Sequence, residues 1–560
     1  MRALMLLPLA ALLPGTMSDG AAPPRLAALL AGVTLCSGDD GPVAANPALM
    51  RGYGGGGFTI VTANPAAQAF FDNGMQLAHA FAHKAASAAF AESVRLDPSC
   101  AMCLWGSAWS DGPTINYPID AATTAKAAAK LEQAEKLLTP SSPARERDLI
   151  AALKRRYEKG SGSGASPGDL AFARAMDSLA TRYPQDDEIA TIAADAWMVP
   201  ASLGTITRNM PRAVALLEGV LKRNPDYTPA IHFYIHATEM SGFPARAETY
   251  ADRLPALAPR ASHLIHMPSH TFYWVGRYQD AADANVRAVA MGIDNARRQG
   301  LPQPGGEWQL PYHGHNVQYG VGGALMSGDA ADALALSAPL LAEGPTDPHG
   351  PNPFLQMAMG TAYAAEARFA DPQQVLALPD PGDRLKFAQA YRHYARGEAQ
   401  ARLGNAAGIR AELARIPNDV GQAKKEDFSA HATQLMRIAR LGLEGRAAMV
   451  EGKPMVAAKW FEKAAKLDEA SLMSGLSDPP AWWYPPRRSY AAALLLAGRP
   501  GEALKQTGLV LSRRPNDPVT LSLRADAEAA LGQTDAAARD RALAEKAWHG
   551  DKAGLAPGLA

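Results

Sequence analysis

At 560 residues the chain is long enough for several domains or one extended array, and its 48% apolar content supplies a core and excludes a disordered protein. Lys plus Arg number 55 and Asp plus Glu number 55, so no net field exists to draw in a nucleic acid or an anionic membrane. Alanine and leucine dominate and aromatic residues make up only 7%, which favours helix over sheet and makes all-α the expected class.

In chain order, Arg2 precedes an apolar run from Ala3 to Leu13, and a second run from Leu26 to Leu35 leads to Cys36, Ser37 and Gly38. Residues 1–40 read as a leader, which implies an exported, periplasmic protein. Cys36 also invites a lipoprotein reading, although Leu35 is a poor residue before a lipidated cysteine; the composite leader is also consistent with Met17 as the true start, and a cytoplasmic origin is the alternative to export. Residues 41–64, with the glycine run Gly52 to Gly57, read as a flexible linker. Beyond residue 50 no apolar stretch approaches the roughly 20 residues of a membrane span, so no transmembrane segment is expected in the mature chain.

From residue 65 a spacing recurs: a small residue, a large apolar one four later, a small one three after that, then proline. Ala86, Phe90, Ser93 and Pro98 fit it, as do Ala247, Ala251, Leu254 and Pro259. Ala457, Phe461 and Ala464 repeat it, and Ala503, Thr507, Val510 and Pro515 are followed by Ala537, 34 residues after Ala503. That is the pattern and period of tetratricopeptide (TPR) helix pairs. The expected fold is a TPR-like, right-handed α-solenoid, with one array over 65–345 and another over 346–560. Gly160 to Gly168 reads as an exposed loop, and the loop Gly300 to Pro311 as an insertion that caps the groove.

Three cysteines form no disulfide framework. Cys100 and Cys103 at a helix start fit a redox dithiol, half a zinc site or two buried small residues, the last being preferred.

His232 and His236 recur 34 residues later as His266 and His270. Within each pair the imidazoles are four apart and share a helix face, and the repeat period stacks one pair beside the other, expected on the concave groove. The same stripe takes in His263, Glu239, Tyr273 and, if Gly328 marks the next turn, His315. Two imidazoles at i and i+4 can chelate a divalent transition metal, and a neighbouring pair can complete or double the site; nitrogen and carboxylate donors suit Zn, Fe, Cu or Ni alike. The same histidines could instead contact an anionic ligand or be ordinary polar groups.

Other candidate ligand contacts are His79, which with His83 falls out of phase with these pairs, and Trp105 and Trp109, which could wall an organic ligand or simply pack. Arg487 is another, in the run Trp482, Trp483, Tyr484, Pro485, Pro486, Arg487, Arg488, where arginine beside aromatic rings can hold a carboxylate.

Several blocks resemble a family of bacterial TPR proteins: His83 with Ala86 and Phe90, Leu96 to Met102 with Trp105-Gly106 and Gly112-Pro113, Tyr234 to Ala237, the run His263-Leu264-Ile265-His266-Met267-Pro268-Ser269-His270 with Gly276-Arg277-Tyr278, His315-Asn316, and Trp483-Tyr484-Pro485 with Arg487 and Ala493 to Leu495. The resemblance covers most of the chain after residue 65 and departs at Cys103 and at His313-Gly314. It implies the fold and says little of function.

Two functions follow from the residues. One is a binding protein whose groove uses a His-rich metal site to hold a small-molecule or peptide ligand. The other is a metal-dependent hydrolase or oxidoreductase on the same histidines, with Glu239 as general base and Tyr273 as proton donor.

Overall fold

A computed structural model of the chain describes residues 48–160, 166–202, 209–342, 353–382, 385–418, 428–470 and 479–556. The leader, Cys36, most of the Gly160 to Gly168 loop and the expected array boundary at 345/346 lie outside the described residues.

Among the described residues the chain is a TPR-like, all-α solenoid in which successive helices pack antiparallel neighbour on neighbour. The residues of the recurring spacing are its contact points: Ala86, Phe90, Ser93, Ala247, Ala251, Leu254, Ala457, Phe461, Ala503 and Val510 are all buried. Phe90 shows why the small positions must be small. A Cβ on Gly74 or Gly106 would stand 2.8 or 2.4 Å from its ring, so the helices Pro65–His79, His83–Leu96 and Ala101–Ser110 close on one phenyl group.

Local chemistry sets the ends. Asn64 caps the helix Pro65–His79 by accepting the Ala66 N–H, with Pro65 in the first turn where its missing donor costs nothing. Asp517 and Pro518 do the same for Pro518–Ala530. Ser262–His266 and Pro268–Val275 are one interrupted helix, because Pro268 lacks a donor while Met267 keeps helical angles (φ −49°, ψ −37°).

The glycine run expected to be a flexible linker is a fixed strap. Gly52, Gly54, Gly56 and Gly57 all have positive φ, and a Cβ on Gly54 would meet the Thr228 hydroxyl at 2.4 Å. Along it, Gly55 N–H donates to Thr228 Oγ1 (2.6 Å), Gly57 N–H to Glu188 (3.2 Å), and Gly52 O accepts from Arg260 N–H (2.9 Å). These glycines serve close approach, a use that composition does not distinguish from flexibility.

The two halves of the chain touch. Tyr278 donates its hydroxyl to Pro515 O (3.1 Å), and His549 N–H reaches Ser327 O (2.8 Å). No described helix is long and apolar enough to cross a membrane.

The helices Tyr278–Arg298 and His313–Ser327 cross at Gly323, where a Cβ would lie 2.8 Å from Ala282 N and 2.9 Å from Tyr278 O. Both obstacles are backbone and cannot rotate away. Gly323→Ala is expected to destabilise the chain by about 1–3 kcal/mol; a urea midpoint equal to that of the parent would contradict this crossing.

Candidate metal centre

Three helices bring the histidines together. Thr228–Met240 carries His232, His236 and Glu239, the interrupted helix carries His263, His266 and His270, and His313–Ser327 carries His315. The nitrogens fall into two trios, His232 with His236 and His263, and His266 with His270 and His315, each with its donor atoms within 4.8 Å of one another. His236, Glu239 and His270 form a third such group that links them.

The open concave groove expected for these residues is not what forms. His232, His236, His263, His266 and His270 are buried and His315 is half-buried. Two rings roof them. Phe81 lies 4.4 Å from His232 and 5.0 Å from His263, and Tyr312, at the end of the Gly/Pro loop, lies 4.2 Å from His263. Both residues hold left-handed backbone (φ 57° and 66°), a conformation that costs a bulky residue about 1–3 kcal/mol and persists only where the surroundings enforce it. Tyr312 is further tied by accepting the Asn116 side-chain amide at 2.8 Å.

Three of the six rings are oriented through Nδ1. His232 Nδ1 donates to the backbone oxygen of His79 (2.6 Å), His266 Nδ1 to Asn285 Oδ1 (2.6 Å) and His270 Nδ1 to Glu239 Oε2 (2.8 Å). Asn285 cannot be flipped, because its amide nitrogen donates to Ala281 O at 2.8 Å. With Nδ1 protonated in each, the bare nitrogen is Nε2. His266 Nε2 and His270 Nε2 stand 2.9 Å apart, and His232 Nε2 and His263 Nε2 3.1 Å apart. The buried Nε2 of His236 has no hydrogen-bond partner.

Burial holds five of these imidazoles neutral. It pushes His232 and His315 down to about 3, and drives His236, His263 and His266 well below the usual range; the nearness of the other histidines adds to the effect.

The remaining candidates divide. Glu239 is at the centre, where its two oxygens accept from His270 and, at 2.7 Å, from Trp274 Nε1. Tyr273 is not at the histidines: its ring packs on Trp274, Tyr278 and Tyr319, and burial raises its hydroxyl to about 12. The phenol that does meet them is Tyr319, 4.8 Å from His270, 5.2 Å from His266 and 5.4 Å from His315. Its spacing of four from His315 on one helix was a usable signal. Asn285, Phe81 and Tyr312 carried no comparable signal.

His79 contributes its backbone oxygen and not its ring, which pairs with Glu188 at 2.5 Å in the core. Trp105 and Trp109 stack on each other at 5.9 Å, and Trp105 donates to Leu149 O, so both are packing elements. Arg487 is forked onto Glu469 through two 2.6 Å bonds, away from the histidines. Cys100 and Cys103 are buried, as preferred, and joined in a disulfide, which removes them from metal ligation.

A cavity of about 570 Å³ borders the centre at His263 and Tyr312 and continues past Phe81, Tyr53 and Ser262 to Arg51 and Arg260. Both arginines are exposed and have no ion-pair partner among the described residues.

No protein-family model matches the sequence, and neither does any curated protein. Among solved structures, the chain is similar to the human IFIT1 dimer with m7Gppp-AAAA (14% identity, TM-score 0.32, covering 80% of this chain and 90% of that one). It is also similar to yeast Tom70 (11%, TM-score 0.29, 86% and 91%) and to the TPR domain of P58(IPK) (15%, TM-score 0.19, 69% and 96%). Likenesses this loose carry nothing about the histidine centre.

A titration follows from the buried imidazoles. In the unfolded chain they take up protons below about pH 6.5, whereas folded His232 and His315 stay neutral to about 3. The unfolded state thus binds more protons across that window, and stability falls as pH falls, by up to about 1.4 kcal/mol per pH unit for each such histidine. Urea midpoints of chelator-treated protein should therefore drop between about pH 7.5 and pH 5; a flat profile would show that the histidines are solvated.

Proposed function

We propose that this chain is a TPR-like binding protein whose centre holds two divalent transition-metal ions, one on His232, His236 and His263 and the other on His266, His270 and His315. The observation that carries the reading is the facing pair His266 and His270. Each spends its Nδ1 proton on an oxygen that can only accept, so two lone pairs meet at 2.9 Å in a dry interior. Such a contact is repulsive unless a cation sits against both. On His266 a proton is disfavoured, since burial and neighbouring rings keep that imidazole neutral. A metal is favoured: two nitrogens at about 2.0–2.1 Å from one tetrahedral ion stand about 3.3 Å apart, close to the spacings already present.

The donor set supports Zn, Fe, Cu or Ni. When bound, such ions supply Lewis acidity or, for Fe and Cu, electron transfer. The chain's own groups do the rest: His79 O, Asn285 and Glu239 fix the imidazole tautomers, and Phe81 and Tyr312 exclude water. The cavity at His263 is the place for a small-molecule ligand or a peptide end. A second reading, a metal-dependent enzyme, is favoured by the half-buried His315 and by Tyr319, a phenol against the second trio. The Cys100–Cys103 disulfide supports export to an oxidising compartment such as the periplasm, in line with the leader-like start.

Elemental analysis of untagged protein, purified after supplementation with Zn, Fe, Cu and Ni, should give two ions per chain; sub-stoichiometric amounts of all four would overturn the proposal. His266→Ala should lose the second ion while the fold, followed by circular dichroism, persists. Asn285→Leu removes the acceptor of His266 Nδ1, together with a bond to Ala281 O, and leaves every proposed metal ligand in place; it should weaken retention about 10–100-fold, as read by competition with a chromophoric chelator. Retention equal to the parent in both variants would place the metal elsewhere.

A further inference from the structure

The aromatic and arginine run near residue 485 leads to a second cavity, away from the histidines. Its two arginines are spoken for, Arg487 by Glu469 and Arg488 by Asp517, at 3.3 Å in the core. Nearby Arg446 is paired with Glu398 at 3.0 Å, and Arg402 is spread over the backbone oxygens of Ala367 and Ala370. Arg368, on the helix Pro353–Phe369, has no carboxylate and no hydrogen-bond acceptor among the described residues, and its Nε is buried.

The surroundings of that guanidinium are specific. Its carbon lies 4.9 Å from the ring of Trp483, 5.3 Å from Trp548 and 5.5 Å from Phe369. A guanidinium over aromatic rings is a favourable contact. Arg368 lines a cavity of about 380 Å³ whose apolar wall includes Ala364, Met449 and Val450. An unpaired charge in such a place is expensive, and burial together with the charge of Arg488 pushes Arg368 down to about 9. Among the described residues no carboxylate is bonded to it.

We propose that this cavity binds a small planar organic carboxylate, its two oxygens forked onto the edge of Arg368 and its apolar body against Met449 and Val450. The fork matches a carboxylate in shape and charge. One unpaired guanidinium balances a monoanion, and the cavity's other charged side chains, Glu398, Asp551, Arg402 and Arg446, are two of each sign and add no net charge for a dianion. None of the six metal-centre histidines lines it, so the site does not depend on the metal reading.

Benzoate and its neutral isostere benzamide test this on the full chain by isothermal titration calorimetry. Prior chelator treatment removes any carboxylate binding at the histidine centre. Benzoate should bind once per chain, and benzamide at least about tenfold more weakly. Arg368→Gln should abolish benzoate binding, and Arg368→Lys, which keeps the charge but not the fork, should weaken it. Should the Gln variant fail to fold, Ala364→Phe leaves Arg368 in place, fills the cavity and should exclude benzoate. The proposal is overturned if benzoate does not bind, if benzamide binds equally well, if a folded Arg368→Gln or Ala364→Phe chain binds benzoate like the parent, or if inorganic phosphate binds more tightly than benzoate.

Discussion

The facing lone pairs of His266 and His270 are the constraint around which the centre is built. Imidazole in water would resolve such a contact by taking a proton or a water molecule. Here Asn285 and Glu239 hold both Nδ1 protons in place, and burial makes an extra proton costly on His266. Each feature alone is ordinary. Together they stabilise a set of bare nitrogens that would be unfavourable in an apolar interior without a cation, and they explain why so much surrounding structure is devoted to keeping the rings still.

That supporting structure draws on distant parts of the chain. The oxygen that orients His232 belongs to His79, at the end of the first described helix, and the roof is made by Phe81, just beyond it, and by Tyr312, which is held by Asn116. The ring of His79 is in turn fixed by Glu188, which also receives the Tyr227 hydroxyl and the Gly57 N–H of the strap. The strap, the first helix pair and the histidine helices are therefore one hydrogen-bonded unit. Shifting any of these elements changes the direction in which an imidazole nitrogen points.

The helical class, the repeat spacing and the positions of all six histidines were legible in the sequence because each rests on periodicity. Small crossing residues recur at fixed steps, and equivalent residues of adjacent repeats must lie side by side. What periodicity could not reveal is what breaks it. The glycine run reads as a linker by composition, yet positive φ angles and the approach to Thr228 make it a strap. Tyr273 occupies an equivalent register position, but the interruption at Pro268 and the packing of Tyr278 turn it into the core, and Tyr319 takes the place beside the histidines. Asn285 and the tautomers it sets depend on a contact between helices, for which one sequence carries no mark.

A regular TPR array would leave these histidines on an open groove, where water would satisfy every nitrogen and the offset of one repeat would amount to a polar patch. Three departures from regularity bear on the centre. Pro268 interrupts the helix between His266 and His270, the Gly/Pro loop ends in Tyr312 over His263, and Phe81 takes a left-handed turn that aims its ring at His232. Two of these carry backbone strain that a scaffold serving only as a groove would have no reason to retain. Repetition supplies the number and spacing of the imidazoles, and the departures from it remove the water. The two together turn a repeated polar position into an enclosed set of nitrogen donors with the 570 Å³ cavity at its edge.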